Sequence, residues 1–238
     1  MRKKGKILTL KCDIMYKVIK RIFDFVMSLL ALLVLSPLLI PVIIGLLLTG
    51  EHYVFYFQER IGKGGKPFKI WKFATMLKNS PNMGTGTITT RNDPRVLPMG
   101  GFLRKTKINE IPQLINILIG NMSIIGPRPL VKRGYDEYSE DVKECISKMT
   151  PGLSGIGSVV FRDEEYYVSQ ADDPVAYARE VIQPHKGELE KWYFHNRSLW
   201  VDIQIIFLTA WAVLSPKNEL VYKLFPTLPV FDSAQPNN

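Results

Sequence analysis

The stretch from Gly100 to Leu114 (GGFLRKTKINEIPQL) sets a cationic run, Arg104, Lys105 and Lys107, directly before the carboxamide of Asn109 and the carboxylate of Glu110. Asn109 suits the N-cap of a helix whose first turn holds Glu110 and Pro112, with Leu114, Ile117 and Leu118 as its buried stripe. Unpaired N–H groups and the macrodipole at such a terminus favour phosphate, and a carboxylate in the first turn can share Mg²⁺ with that phosphate. An ordinary capped helix with acid in its first turn has the same pattern. Further on, Gly126-Pro127-Arg128-Pro129 places an arginine between two prolines. Restricted backbone on both sides holds the guanidinium still, which suits bidentate recognition of a diphosphate.

The remaining reactive residue types point to less. His185 and His195 have no partner at ligand spacing and read as ordinary surface or core histidines. Cys12 and Cys145 form no CxxC pair, so neither a metal site nor a disulfide framework is expected. Asp172-Asp173-Pro174 invites a metal reading, but an N-cap with proline in the first turn explains it. Asp93-Pro94-Arg95 marks a turn that Asp93 shapes.

Several elements must position these groups. Tyr53–Gln58 and Phe68–Phe73 (FKIWKF) read as strands joined by the Gly-rich turn 61–67, giving a β-hairpin. Its lysines, Lys72 among them, either point at substrate phosphate or lie on a solvated face. Residues 79–91, rich in Gly, Asn and Thr, read as a loop, and 161–197 as polar and helical. Leu199–Leu214 (LWVDIQIIFLTAWAVL) is apolar except for Asp202, Gln204 and Thr209, with Trp200 and Trp211 at headgroup level. It is short for a span and reads as an amphipathic helix lying in the membrane interface, the alternative being a buried core helix.

Phe25–Gly50 contains no charged residue and reads as the membrane element. As one straight helix its 26 residues, at about 1.5 Å each, would exceed a hydrocarbon core of about 30 Å. Pro37 and Pro41 are expected to divide it into two arms of roughly 12 residues, and Ser36 can bond a carbonyl that proline frees. Basic residues flank both ends, from Arg2 to Arg21 and from Arg60 to Lys72, which suits a hairpin entering and leaving on the cytoplasmic side. A single kinked spanning helix is the other reading.

The 238 residues leave room for one domain beside this element, and the net charge of +9 implies an anionic partner. No nucleic-acid partner is expected, since the basic residues are dispersed among apolar ones and no helix-turn-helix, RRM or zinc-ligand spacing occurs.

Taken together, Lys20-Arg21-x-x-Asp24, Ser36-Pro37, PFKIWKFATM, the DPR turn, LRKTKINEIPQLIN and GPRP resemble, in order and spacing, the bacterial sugar transferases called monotopic phosphoglycosyl transferases. The resemblance runs from about Lys17 to Leu214. It implies transfer of a sugar 1-phosphate from a UDP-sugar to polyprenyl (undecaprenyl) phosphate with Mg²⁺, release of UMP, and initiation of a surface glycan at the bacterial inner membrane, with the catalytic domain on the cytoplasmic face. It also implies that Arg104 and Arg128 hold phosphates, that Glu110 belongs to the catalytic and Mg²⁺ site, and that Lys72 and Arg162 contact substrate. Lys20, Arg21, Asp24, Ser36 and Pro37 would mark the membrane boundary. The fold implied is mixed α/β and mostly helical, with a re-entrant helix hairpin, a small β-hairpin and interfacial helices. Its parts would be a basic tail at 1–16, the membrane helix at 17–50, the catalytic domain at 51–198, an interfacial helix at 199–215 and a tail at 216–238. Homo-oligomerisation or association with glycan-assembly enzymes is open.

Some positions depart from the pattern. Asn109 stands where the family usually has Asp, thought to be the nucleophile of a phosphosugar-enzyme intermediate, and a carboxamide is a poor nucleophile without charge for a metal. Glu110 could take that role, polyprenyl phosphate could attack directly, or the chain could be a silent, membrane-bound binding or scaffold subunit. Ala74 replaces a common basic residue, Asn121 a common Asp, and Ile156-Gly157-Ser158 a common Trp-Ala-Gln, while Arg162 keeps a basic position.

Overall fold

The computed structural model describes residues 2–83, 93–214 and 219–231. The loop expected at 79–91 lies outside the described residues from 84 onward, as do 215–218 and 232–238 of the C-terminal tail. In chain order the elements are α1 (Arg2–Leu48), β1 (Phe55–Ile61), β2 (Pro67–Phe73), α2 (Gly100–Lys105), α3 (Gln113–Leu118), β3 (Ser123–Ile125), α4 (Lys132–Asp136), α5 (Glu140–Ser147), β4 (Gly152–Ser154), α6 (Ile156–Val160), α7 (Glu164–Ser169), α8 (Pro174–Tyr177), α9 (Gln183–Asn196), α10 (Leu199–Leu214) and α11 (Leu220–Leu224). A π-helical turn, Ala178–Ile182, joins α8 to α9. The chain is mixed α/β and mainly helical, and β1 and β2 form the expected hairpin about a short 3₁₀ turn at Lys63–Gly65.

The N-terminal segment is helical throughout: residues 2–16 belong to α1, which runs from Arg2 to Leu48 with Pro37 and Pro41 inside it, so the two arms expected on either side of the prolines are parts of one helical run. Part of the reason is local. Pro37 cannot donate to the Leu33 carbonyl, and Ser36 Oγ donates to that oxygen instead at 2.8 Å. The stretch Asp13–Leu48 is long and apolar enough to cross a membrane. Leu33, Val34, Ile40 and Leu48 are among its exposed side chains.

The chain divides into two compact units. The first comprises residues 1–23, 60–68 and 121–238. Its core gathers Ile125, Ile156, Val159, Ile182, Leu189, Ile205 and Leu208. Val221, Phe225 and Leu228 also belong to it, so the C-terminal segment, from which the sequence promised little, supplies core. Asp173 caps α8 as expected, its Oδ1 accepting the Val175 and Ala176 N–H groups at 3.0 Å each.

A parallel pair, β3 with β4, aligns Ser123 with Gly152 and Ile125 with Ser154. Glycine is required where these backbones meet: a Cβ on Gly152 would lie 2.2 Å from Gly126 N, and one on Gly155 2.2 Å from Gly126 O.

Helix α10 has the predicted bounds, but its polar stripe faces inward. Asp202 is buried and accepts Tyr16 Oη at 3.0 Å, Lys20 Nζ at 2.7 Å and Tyr193 Oη at 2.5 Å. Thr209 Oγ1 lies 2.8 Å from Ser154 Oγ. The outward face is apolar instead, with Trp200 67 %, Ile203 49 %, Phe207 52 % and Trp211 40 % exposed. Both sequence readings therefore describe half of this helix: one side is core, and the other offers apolar surface without protein cover.

The second unit comprises residues 24–59 and 69–120. Val42 and Leu46 of α1 pack with Phe73 and Leu103, bordered by Leu39, Ile43, Val54, Phe55, Met99 and Ile108. Asp93 shapes its turn through a buried pair with Arg95, at 2.9 Å to Nε and 2.6 Å to Nη2, and Arg95 Nη1 also donates to the Ser80 and Met83 carbonyls.

Asp202→Ala should lower the unfolding free energy of the detergent-solubilised protein by about 3 kcal/mol, because it strands a mostly buried ammonium and two hydroxyls. Denaturant unfolding followed by tryptophan fluorescence measures this.

Candidate functional site

In the second unit, β2 carries Lys72 beside the 3₁₀ turn Ile108–Glu110, and Lys72 Nζ donates to Glu110 Oε1 at 3.2 Å. Both side chains are largely but not fully covered, at 18 % and 23 % exposure, so the pair is shielded from bulk water yet open to a ligand. The chain reaches this turn through Lys107, which adopts a left-handed conformation at φ 61°. A residue with a Cβ pays strain there of order 1 kcal/mol, and the conformation redirects the chain sharply after α2. Arg104, in the last turn of α2, donates Nη1 to Met76 Sδ at 3.5 Å.

Asn109 does not cap a helix. It lies inside the 3₁₀ turn, buried, with its Oδ1 lacking a partner among the described residues. Pro112, without an N–H, cannot continue an α-helical ladder from Ile108. The backbone closes three-residue turns instead, Glu110 N to Lys107 O and Ile111 N to Ile108 O, and α3 starts only at Gln113. Glu110 therefore stands in a 3₁₀ turn before α3, a helix of six residues, and not in the first turn of a helix that Asn109 caps. Leu114 and Ile117 are buried as expected.

Sequence reasoning missed Asn116. Fully buried on α3, it accepts the Trp71 N–H through Oδ1 at 2.9 Å and donates Nδ2 to the Lys69 carbonyl at 2.8 Å. It thereby fixes the backbone just before Lys72. An asparagine three residues beyond Gln113 carries no local sign of this, because its partners are 45 and 47 residues away. Ala74, where a basic residue was the common expectation, is completely buried, its N–H bonded to the Val54 carbonyl.

The first unit holds Arg128 on the loop Gly126–Pro129. Pro127 and Pro129 are buried while Arg128 is exposed. Gly152 N donates to Pro127 O at 2.8 Å, Arg60 Nη1 to Pro129 O at 3.2 Å, and Ile61 N to Leu130 O at 2.8 Å. Arg162 is exposed just after α6. Of the boundary residues, Lys20 is committed to Asp202, Asp24 is buried, and Ser36 bonds its own helix. Arg21 lies between Lys20 and Asp24 within α1.

Among the described residues no three His, Cys, Asp or Glu side chains cluster as a metal cage. Mg²⁺ normally takes one or two carboxylates, retains water and uses substrate phosphates, so the Glu110 carboxylate, paired with Lys72, and the amide oxygen of Asn109, without a partner among the described residues, are oxygen donors of a kind that ion takes.

A family model described as bacterial sugar transferase matches residues 15–216. The UDP-glucose:undecaprenyl-phosphate glucose-1-phosphate transferase of Escherichia coli (strain K12) is 36 % identical over 196 residues, covering 81 % of this chain and 39 % of that protein. The undecaprenyl-phosphate galactose phosphotransferase of Salmonella typhimurium is 33 % identical over 210 residues, covering 82 % and 40 %. The exopolysaccharide production protein ExoY of Sinorhizobium fredii is 35 % identical over 208 residues, covering 82 % and 84 %. The chain thus spans about two fifths of the length of the first two relatives and most of the third.

Asn116→Ala should cost about 2 kcal/mol, since it leaves a buried N–H and a buried carbonyl of β2 without partners. Thermal unfolding tests the cost. Faster amide exchange at Trp71, next to Lys72, tests the positioning.

Proposed function

The chain belongs to the bacterial sugar transferase family, and from that premise we propose that it moves a sugar 1-phosphate from a UDP-sugar to polyprenyl phosphate, releasing UMP, as the first membrane step of surface-glycan assembly. The observation that carries the reading is the shielded Lys72–Glu110 pair: an ammonium and a carboxylate held together at the edge of a small β-hairpin, with Arg104 on the neighbouring helix. Phosphoryl transfer depends chiefly on positioning and charge neutralisation, which such a group supplies.

With Asn109 at the position of the usual nucleophile, direct displacement is the mechanism best supported. An oxygen of the polyprenyl phosphate attacks the sugar-bearing phosphorus, and the anhydride bond to the uridine-bearing phosphate breaks. UMP leaves with the bridging oxygen. Lys72 neutralises charge on the reacting phosphates and, by pairing with Glu110, lowers the nucleophilicity of that carboxylate, which argues against a covalent Glu110 intermediate. Glu110 would hold Mg²⁺ together with the substrate diphosphate, and the ion when bound would offset charge on the transferred group. Arg104 orients phosphate in the second unit. Arg128 and Arg162, in the first, are proposed as separate substrate contacts.

We further propose a bacterial inner-membrane location with the catalytic domain facing the cytoplasm, α1 entering the bilayer and bending near Ser36–Pro37 so that both ends stay on one side. Flanking positive charge and two interior prolines support this, and the uncovered apolar face of α10 supports contact with the interface.

UMP release is the test of the reaction, using purified protein, polyprenyl phosphate, Mg²⁺ and a panel of UDP-sugars. Release is expected from the native chain and should fall at least about 100-fold in Glu110→Ala. A labelled phosphosugar trapped on the native protein would overturn direct displacement. Silence from the native chain with activity in Asn109→Asp would identify a silent relative. For the membrane reading, Trp200→Ser with Phe207→Ser should weaken flotation with anionic vesicles, and a cysteine placed between Ser36 and Pro41 should resist an impermeant reagent added from outside. Labelling there would sink the re-entrant topology.

A further inference from the structure

One buried carboxyl in the first unit has no part in the chemistry above. Glu190, on α9, is 5 % exposed, and it accepts the backbone N–H of Arg128. In Pro127-Arg128-Pro129 that N–H is the only one the three residues possess, because proline has none. The carbonyls of the two prolines are held by Gly152 N and Arg60 Nη1, while Glu190 acts on the backbone of the arginine itself. Its pocket is tight: a Cβ on Gly157 would come within 3.2 Å of Glu190 Oε1, and Glu190 Oε2 is buried without a partner among the described residues. A carboxyl is costly in such a place unless it does something an apolar residue could not.

We infer that Glu190 is a positioning residue for Arg128: by accepting the lone N–H of the Pro-Arg-Pro loop it sets where the exposed guanidinium stands, and through it the affinity of this unit for a substrate phosphate. The inference rests on the proposed reading of Arg128 as a phosphate contact. Burial pushes the Glu190 carboxyl up to about 8, against the pull of the Arg128 N–H and of Lys186. Near neutral pH it therefore acts chiefly as a neutral acceptor. A glutamine has the same shape and keeps an acceptor oxygen, whereas a leucine does not.

The test uses the full chain in detergent, with three single variants, Glu190→Gln, Glu190→Leu and Arg128→Ala, and the Glu190→Leu/Arg128→Ala double variant. Glu190→Leu should raise KM for the UDP-sugar about tenfold at little change in kcat, the size expected for losing one buried hydrogen bond that orients a ligand group. Glu190→Gln should stay within about twofold of the native KM. In the Arg128→Ala background Glu190→Leu should add nothing. An equal effect in both backgrounds, or a glutamine variant as impaired as the leucine one, would overturn the inference. Amide exchange at Arg128 gives a readout independent of turnover, with protection expected in the native chain and Glu190→Gln and lost in Glu190→Leu. If the native chain turns over no UDP-sugar, the transferase reading fails, while the exchange result still decides whether Glu190 restrains Arg128. Unchanged protection in Glu190→Leu would refute it.

Discussion

A buried carboxylate in the first turn of an apolar helix needs partners, and Asp202 obtains three of them, two from the far end of the chain. Tyr16 and Lys20 reach it from α1 and Tyr193 from α9, while Arg197 pairs with Asp13 at 3.3 Å. Breaking such a buried pair leaves a charge uncompensated, so the arrangement holds together or fails as a group. Its effect is to tie the start of α1 to α10 while α10 keeps Ile205 and Leu208 in the core and turns Trp200 and Phe207 outward. Polar contacts thus lie inside and apolar surface outside, the reverse of a helix evolved to face water and the right sense for one that meets lipid.

Within the same unit, close backbone packing does a comparable job for the Pro-Arg-Pro loop. Gly126, Gly152 and Gly155 approach so nearly that no side chain fits between them. The strand pair they permit presents carbonyl and N–H groups to the loop at fixed positions, leaving Arg128 as the element that projects. In the other unit rigidity arises differently. Asn116 joins α3 to β2, and the strained Lys107 sets the turn that carries Glu110. Strain of this kind persists only where surrounding structure enforces it, and it gathers where a side chain must be aimed.

The most legible features in the sequence were those with local causes. The hairpin at 53–73 came from alternation and a glycine turn. The start of α8 came from Asp173 and Pro174, and the bounds of α10 from a largely apolar run. The grouping of Lys72, Arg104 and Glu110 in one unit was legible only through the resemblance, since nothing in their spacing of 32 and 6 residues brings them together. Asn109 was misread because capping preference is local, whereas its burial in a 3₁₀ turn follows from the missing N–H of Pro112 and the approach of β2.

Composition and pattern were thus enough to identify a segment apolar and long enough to cross a membrane, a cationic chain and the residue types that phosphate chemistry needs. They could not say that α1 continues through both prolines, which depends on Ser36 finding the freed carbonyl, nor that Asp202 points inward. They also left Asn116 and Glu190 unmarked. The inward turn of Asp202 and the roles of Asn116 and Glu190 are settled by partners that lie far away in the chain, and a hydrogen bond acts over about 3 Å in space whatever the distance in sequence.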